Sequence, residues 1–229
     1  MSGQAFIGSG GLMDVPVPRW IENDESLFGT WGQTLMAMLK HGRVETLKKG
    51  SILTMGSGEI GLLIDGGLYC LDIETAGQDR ALFVSFPGRG ELFKAGASGL
   101  PSLTFQAHCK TTALVIPSGN LKAFEGELAV AGRIMATLDL ILAQQFAQAA
   151  QAASLQDILR IERALQMLAD HPSGTDTRLG REIVASKTQI RYLAGVHKRS
   201  ASRAFKKLDT DGCVTFYGYK RVFFRGGMN

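Results

Sequence analysis

The 229-residue chain holds only three cysteines and four histidines. Cys70, Cys109 and Cys213 lie far apart, form no CxxC pair and lack metal-ligand spacing, so no disulfide framework or metal site is expected of them. A reducing compartment suits them. Three buried or half-buried thiols are the plain expectation, and a redox-sensing thiol is the sharper one. His41, His108, His171 and His197 share no HxH or HxxxE pattern in a strand-like region, which argues against a metal enzyme. No run of about 18 apolar residues occurs, so no transmembrane helix is expected. The opening MSGQAFIGSGG lacks a basic start and an apolar core, so no secretory signal is expected and the assumed address is the cytoplasm.

What remains is a globular composition, 45% hydrophobic and 20% charged. The length permits one large domain or two small ones. The net charge of +4 is unevenly spread: residues 154–229 carry +7 and residues 1–153 carry −3. One end of the chain is therefore expected to meet a polyanion.

The texture changes along the chain. Residues 1–30 read as irregular, followed by a short helix from Trp31 to Lys40. From Val44 to Pro117, short apolar runs (Ile52–Met55, Gly61–Ile64, Gly67–Ile73, Arg80–Phe86, Thr112–Ile116) alternate with glycine-bearing turns, which predicts a small antiparallel barrel or sandwich. From Leu121 to Ala153 there is no proline, and apolar or small residues recur in a three-four rhythm. One long helix of about 45 Å is expected, either packed on its own barrel or, as favoured here, on a twin. Ile134, Met135, Leu138, Ile141, Leu142, Gln145 and Phe146 are the candidate dimer residues. A helix from Leu155 to Ala169 follows, then a loop at 173–177.

The last module carries the clearest chemistry. Ser186 can cap a short helix to Ala194, Gly195 suits a tight turn, and a second helix runs from about His197 to Asp211. Lys198, Arg199, Ser202, Arg203, Lys206 and Lys207 fall on one half of that helix, and Ala201, Ala204, Phe205 and Leu208 on the other. Seven Lys/Arg and no acid lie between Ser186 and Leu208. A merely solvated face mixes its signs, so this one is read as DNA-facing. Arg can grip guanine O6 and N7 as a fork, and Ser can bond several base edges or a phosphate. Lys198, Arg199, Ser202 and Arg203 are the candidates for bases or adjoining phosphates. Ser186, Lys187, His197 and Lys206 are candidates for the sugar-phosphate backbone, and Ser200 is a further DNA-binding candidate. A hairpin, Cys213–Tyr217 and Tyr219–Arg225, reads as the wing of a winged helix, with Lys220 and Arg221 as phosphate candidates. It serves equally well as a lid on the small core.

The order of small barrel, long helix and winged helix-turn-helix, with IRYLAGVHKRSASRAFKKL inside it, resembles the cyclic-AMP receptor / fumarate-nitrate regulator (CRP/FNR) family. The segment FPGRGELFKAGASGLPSLTFQAHCKTTALVIPS supports the likeness. The resemblance covers roughly residues 40 to 229. It implies an α+β chain with a cyclic-nucleotide-binding-like double-stranded β-helix barrel at 1–120 after an N-terminal extension, a dimerisation helix at 121–153 and a winged helix-turn-helix at 154–229. It implies a homodimer on near-palindromic double-stranded DNA, with the barrel sensing a signal and no membrane involved. RNA polymerase is a further partner that the resemblance leaves open.

The departures from the family pattern matter. Many members carry Glu where this chain has Arg199, and Arg cannot accept a bond from cytosine N4, so a different half-site is expected. The family's phosphate-holding Arg-Ser/Thr-Ala run is replaced here by Pro101-Ser102-Leu103-Thr104, which argues against cyclic AMP. No cysteine precedes Cys70, which argues against an iron–sulfur cluster. No cofactor is identified. An unidentified small molecule, thiol redox or no effector at all are the open choices, with Glu91, Leu92, Phe93, Ser102 and Thr104 as the candidate pocket. The rival readings are a cupin-like enzymatic barrel and a dimeric ligand-binding protein that no longer binds DNA.

Overall fold

A computed structural model describes residues 15–72, 81–97, 99–100, 102–171 and 174–226. Ile73, Arg80, Pro101 and Ser173, which fall in expected strands, the expected pocket and the expected loop, lie outside the described residues, as does the extension at 1–14. The chain divides into two compact units, residues 1–69 with 87–144 and residues 70–86 with 145–229.

The first unit opens with helices where irregular chain was expected: α1 (Arg19–Glu22) and α2 (Glu25–Gly29) precede α3 (Trp31–His41). The Asp24 side chain accepts a hydrogen bond from Leu27 N, which fixes the start of α2. The sequence signal for α2 was therefore a cap, not a hydrophobic rhythm. Helix α3 buries Trp31, Thr34, Leu35, Ala37 and Met38, an i, i+3, i+4, i+7 stripe.

The strands are β1 (Arg43–Leu47), β2 (Ile52–Leu53), β3 (Ile60–Asp65), β4 (Leu68–Asp72), β5 (Leu82–Ser85), β6 (Leu92–Lys94), β7 (Thr104–Ala107) and β8 (Thr111–Ile116). They form two four-stranded antiparallel sheets, ordered β1-β8-β3-β6 and β2-β7-β4-β5. The expected barrel is corrected: neither sheet closes on itself. Edge strands β2 and β6 span two and three residues, too few ladder bonds to carry a closed ring. Ile60, Leu62, Leu114 and Ile116 share one core with Trp31, Met38, Phe124, Ile134 and Leu138.

The long helix is also corrected. It breaks into α4 (Ser118–Glu127) and α5 (Ala131–Ala153). Leu128 leaves the helical region, at φ −122° and ψ 110°. Leu128 is buried, so packing overrides the unbroken rhythm of the sequence. Helix α5 has 23 residues, about 35 Å at 1.5 Å per residue.

In the second unit, α6 (Asp157–Asp170) precedes a sheet ordered β11-β12-β10-β9. Strand β9 (Thr175–Thr177) pairs with β10 (Gly180–Val184), where a loop was expected. Between β10 and β11 lie α7 (Lys187–Leu193) and α8 (Lys198–Thr210), and β11 (Val214–Tyr217) pairs with β12 (Arg221–Phe224). No helix among the described residues is long and apolar enough to cross a membrane.

Candidate nucleic-acid interface

Helix α7 starts because Ser186 Oγ accepts a hydrogen bond from Gln189 N at 3.1 Å. It stops at Gly195, whose φ of +61° is left-handed. A Cβ at Gly195 would sit 2.6 Å from Arg160 Nη2 and 3.2 Å from Ala81 O. The Arg160 guanidinium on α6 donates to Gly195 O at 2.8 Å. The turn is therefore clamped from below as well as bent by its own glycine.

Helix α8 buries Ala201, Ala204, Phe205 and Leu208. Burial of Phe205 and Leu208 contributes about 1.5–3 kcal/mol each. The Phe205 ring meets Phe216 of β11 edge-on, with centroids 5.3 Å apart, so the hairpin is docked on the helix. Gly212, at φ +73°, ends α8, and Cys213 N donates to Leu208 O at 3.0 Å.

The opposite face is solvent-exposed at His197, Lys198, Arg199, Ser202, Arg203, Lys206 and Lys207. Lys207 is occupied by Asp211 at 3.0 Å. No described carboxylate comes within ion-pair distance of Lys198, Arg199, Arg203 or Lys206. Ser202 Oγ donates to Lys198 O at 3.1 Å, which leaves its lone pairs outward. His197 occupies the N-cap position with no side-chain cap bond, and Ser200 is half-buried.

The remaining candidates divide. Lys187 is exposed, with Nζ 4.0 Å from the centre of the Phe216 ring. Lys220 is exposed at the hairpin. Arg221 donates to Glu182 Oε1 at 2.6 Å. That bond raises the Arg221 pKa and lowers that of Glu182, so this guanidinium is already engaged. Thr188 and Arg191 were missed. They line a groove of about 580 Å³ with Lys187, Lys198, Ser202, Lys206 and one carboxylate, Asp209. Their signal was in the sequence: they stand one and four residues after Lys187, on the rim of the same helix.

The residues expected to form an effector pocket are less unified. Glu91 is exposed, accepts from Gly88 N at 2.7 Å, and has its carboxyl pKa raised by the crowding around it. Leu92 and Phe93 are buried. The Phe93 ring fills the space over Gly61, where any Cβ would meet it at 2.3 Å, and lies 5.2 Å from the Phe105 ring. Ser102 is exposed and Thr104 half-buried. His108 is buried and hydrogen-bonded to the Tyr69 hydroxyl. Burial, helped by the charge of Lys49, lowers its pKa to about 4. No group of His, Cys, Asp and Glu suited to a metal occurs among the described residues.

The candidate dimer residues divide too. Ile134, Leu138, Leu142 and Phe146 are buried within the single chain, whereas Met135, Ile141 and Gln145 are half-buried. The exposed side of α5 instead carries Ala136, Leu140, Ala143 and Ala147.

No family model and no curated protein matches the chain. Solved structures do. The cyclic-di-GMP-responsive global regulator CLP of Xanthomonas campestris superposes with TM-score 0.69 at 21% identity, over 86% of this chain and 100% of that one. FixK2 of Bradyrhizobium japonicum gives 0.59 at 17%, over 81% and 93%. A CRP/FNR-family transcriptional regulator from Thermus thermophilus gives 0.54 at 16%, over 80% and 93%. The fold is that of the CRP/FNR transcription regulators.

Proposed function

We propose that the chain is a homodimeric transcription regulator of CRP/FNR type that reads double-stranded DNA with α8. The observation that carries this reading is the exposed, cation-rich face of that helix, where Lys198, Arg199, Arg203 and Lys206 outnumber the one acid, Asp209, backed by a buried apolar face that fixes its aim. Lys198, Arg199, Ser202 and Arg203 address bases. Lys187, Thr188, Arg191, His197, Ser200 and Lys206 address phosphates, and the Ser186 cap presents the start of α7 to the same strand. The β11–β12 hairpin is the wing of a winged helix-turn-helix spanning residues 154–229, with Lys220 rather than the Glu182-bound Arg221 as its cation. Residues 1–120 act as the sensor and residues 121–153 as the dimer element.

The dimer face in this reading is the exposed side of α5 around Leu140, because Ile134 and Leu138 already serve the chain's own core. The signal is a small molecule or a redox change other than cyclic AMP, since neither Ser102 nor Thr104 brings a cation to a phosphodiester.

A mobility-shift assay with genomic fragments at one stated salt concentration tests the reading. A subset of fragments should stay bound against an excess of random duplex, typically 10³-fold or more tighter. Weak binding that is equal across all sequences refutes it.

A further inference from the structure

The two most exposed large apolar side chains among the described residues stand together at one hairpin tip. Tyr217, the last residue of β11, is 66% exposed, and Tyr219, in the turn to β12, is 76% exposed. Neither hydroxyl makes a hydrogen bond with a described residue. A turn that only joins two short strands is usually built of small polar residues. A ring with an apolar body and a polar edge is instead suited to a contact surface.

The tip is held in place. Tyr217 pairs with Arg221 across the hairpin, and Gly218 turns the chain at φ +63°. Phe216, on the other face of β11, is docked edge-on against Phe205 of α8. The helix that faces DNA therefore carries the tip. The charges around the rings select the partner. Lys220, in the same turn, is exposed, and no described carboxylate pairs with it. Lys187 Nζ lies 4.0 Å from the centre of the Phe216 ring, one residue before Tyr217. Glu182, on the neighbouring strand, is held by Arg221 at 2.6 Å. Rings set among exposed cations fit a polyanion with apolar sugar walls better than a protein surface of mixed sign.

We propose that Tyr217 and Tyr219 form a second DNA contact, with their rings along the deoxyribose walls of the minor groove next to the major groove that α8 enters. Lys220 then meets a flanking phosphate. This contact rests on the regulator reading above and extends it to the base pairs bordering each half-site. A minor groove about 6 Å wide admits a ring edge-on. At a G·C pair the guanine N2 amino group stands up from the groove floor and obstructs the ring. The tyrosines therefore add a preference at the borders that α8 does not make.

Anisotropy titrations of the full chain, with a duplex selected in the mobility-shift assay, test this. The duplex carries either G·C or inosine·C pairs bordering the half-sites. Inosine lacks only the N2 amino group, so it alters the minor groove and keeps the major-groove pattern of guanine. The natural chain should bind the inosine duplex about fivefold or more tightly than the G·C duplex. Tyr217→Ala with Tyr219→Ala should weaken binding to the inosine duplex about tenfold, as loss of aromatic contacts implies, and should erase the preference. Both side chains are exposed, so folding is not at risk. Tyr217→Phe with Tyr219→Phe keeps the rings and should keep both effects. Unchanged affinity in the double alanine variant overturns the proposal and assigns the tyrosines to a protein partner. Equal binding of the natural chain to the two duplexes overturns it as well. Either result, with the natural chain still selecting its fragment, leaves the regulator reading standing. A natural chain that selects no fragment defeats both.

Discussion

At the scale of single residues, the DNA-facing side chains differ in the work assigned to them. Arg203 is exposed and central on α8, with no described carboxylate paired to it. Arg203→Ala should cost about 1–3 kcal/mol at the cognate site and relax base preference at one position. Lys206→Ala should weaken binding to all sequences alike and flatten the salt dependence by about one phosphate's worth. Anisotropy titrations of both variants at several salt concentrations separate the two roles. Equal effects on specific and random duplex for Arg203→Ala would place that residue on phosphate. Buried His108 gives a prediction of a different kind. Its pKa is about 4 folded and about 6.5 unfolded. Between those values the unfolded chain binds the extra proton, so stability rises with pH. The contribution is whole above about pH 6.5 and is lost as pH falls toward 4. It amounts to about 3 kcal/mol at most. Denaturation from pH 7 to pH 5 should therefore lower the midpoint more in the natural chain than in His108→Gln. Parallel curves would contradict the assignment.

At the scale of elements, the turn between α7 and α8 is tightly constrained. Gly195→Ala meets both a left-handed φ and Arg160 Nη2 at 2.6 Å. Gly212→Ala meets a φ of +73° and open space. The second should cost about 1–2 kcal/mol from backbone strain alone, and the first more, about 2–4 kcal/mol with the steric contact added. Chemical denaturation ranks them, and equal losses would mean the Arg160 clamp yields freely. These two helices were the most legible part of the sequence. A capping serine, a turn glycine and a two-faced helix agree there, and the observed ends fall within a residue or two of those expected. The missed strands carry weaker signals. Strand β1 alternates charge and half-burial as RVETL, and β9 is the wholly exposed TDT. Their pairing is set by partners distant in sequence. The break at Leu128 lies in a stretch with no Pro, where Gly126 two residues earlier is the one local signal, and burial of Leu128 sets the rest.

At the scale of the whole molecule, the account needs two copies of the chain, and α5 offers a place for the second. One side of the helix is filled by Ala131, Ile134 and Leu138 in the core. The other is alanine-rich around Leu140, which is 59% exposed. Both charged residues of the helix are engaged, Arg133 by Asp24 and Asp139 by Lys94. An apolar helix face with its charges neutralised suits a like surface. Leu140→Asp should yield monomers in sedimentation at concentrations where the natural chain is dimeric. Leu138→Ala should instead lose about 2–5 kcal/mol of stability through the cavity it leaves. A dimer surviving Leu140→Asp would move the interface elsewhere. The uneven charge belongs to this scale as well, because the +7 of residues 154–229 is carried twice in a dimer and should steepen the salt dependence of DNA binding.

The central claim is that the exposed basic face of α8 enters a major groove, twice, under a two-fold axis. A hydroxyl-radical footprint on a fragment selected from the genome tests it most directly. Two symmetric protected patches about 10 base pairs apart, centre to centre, are the result the account predicts. They should vanish in a chain carrying Arg199→Ala with Arg203→Ala. Protection that is uniform along the fragment, or that persists in the double variant, would contradict it.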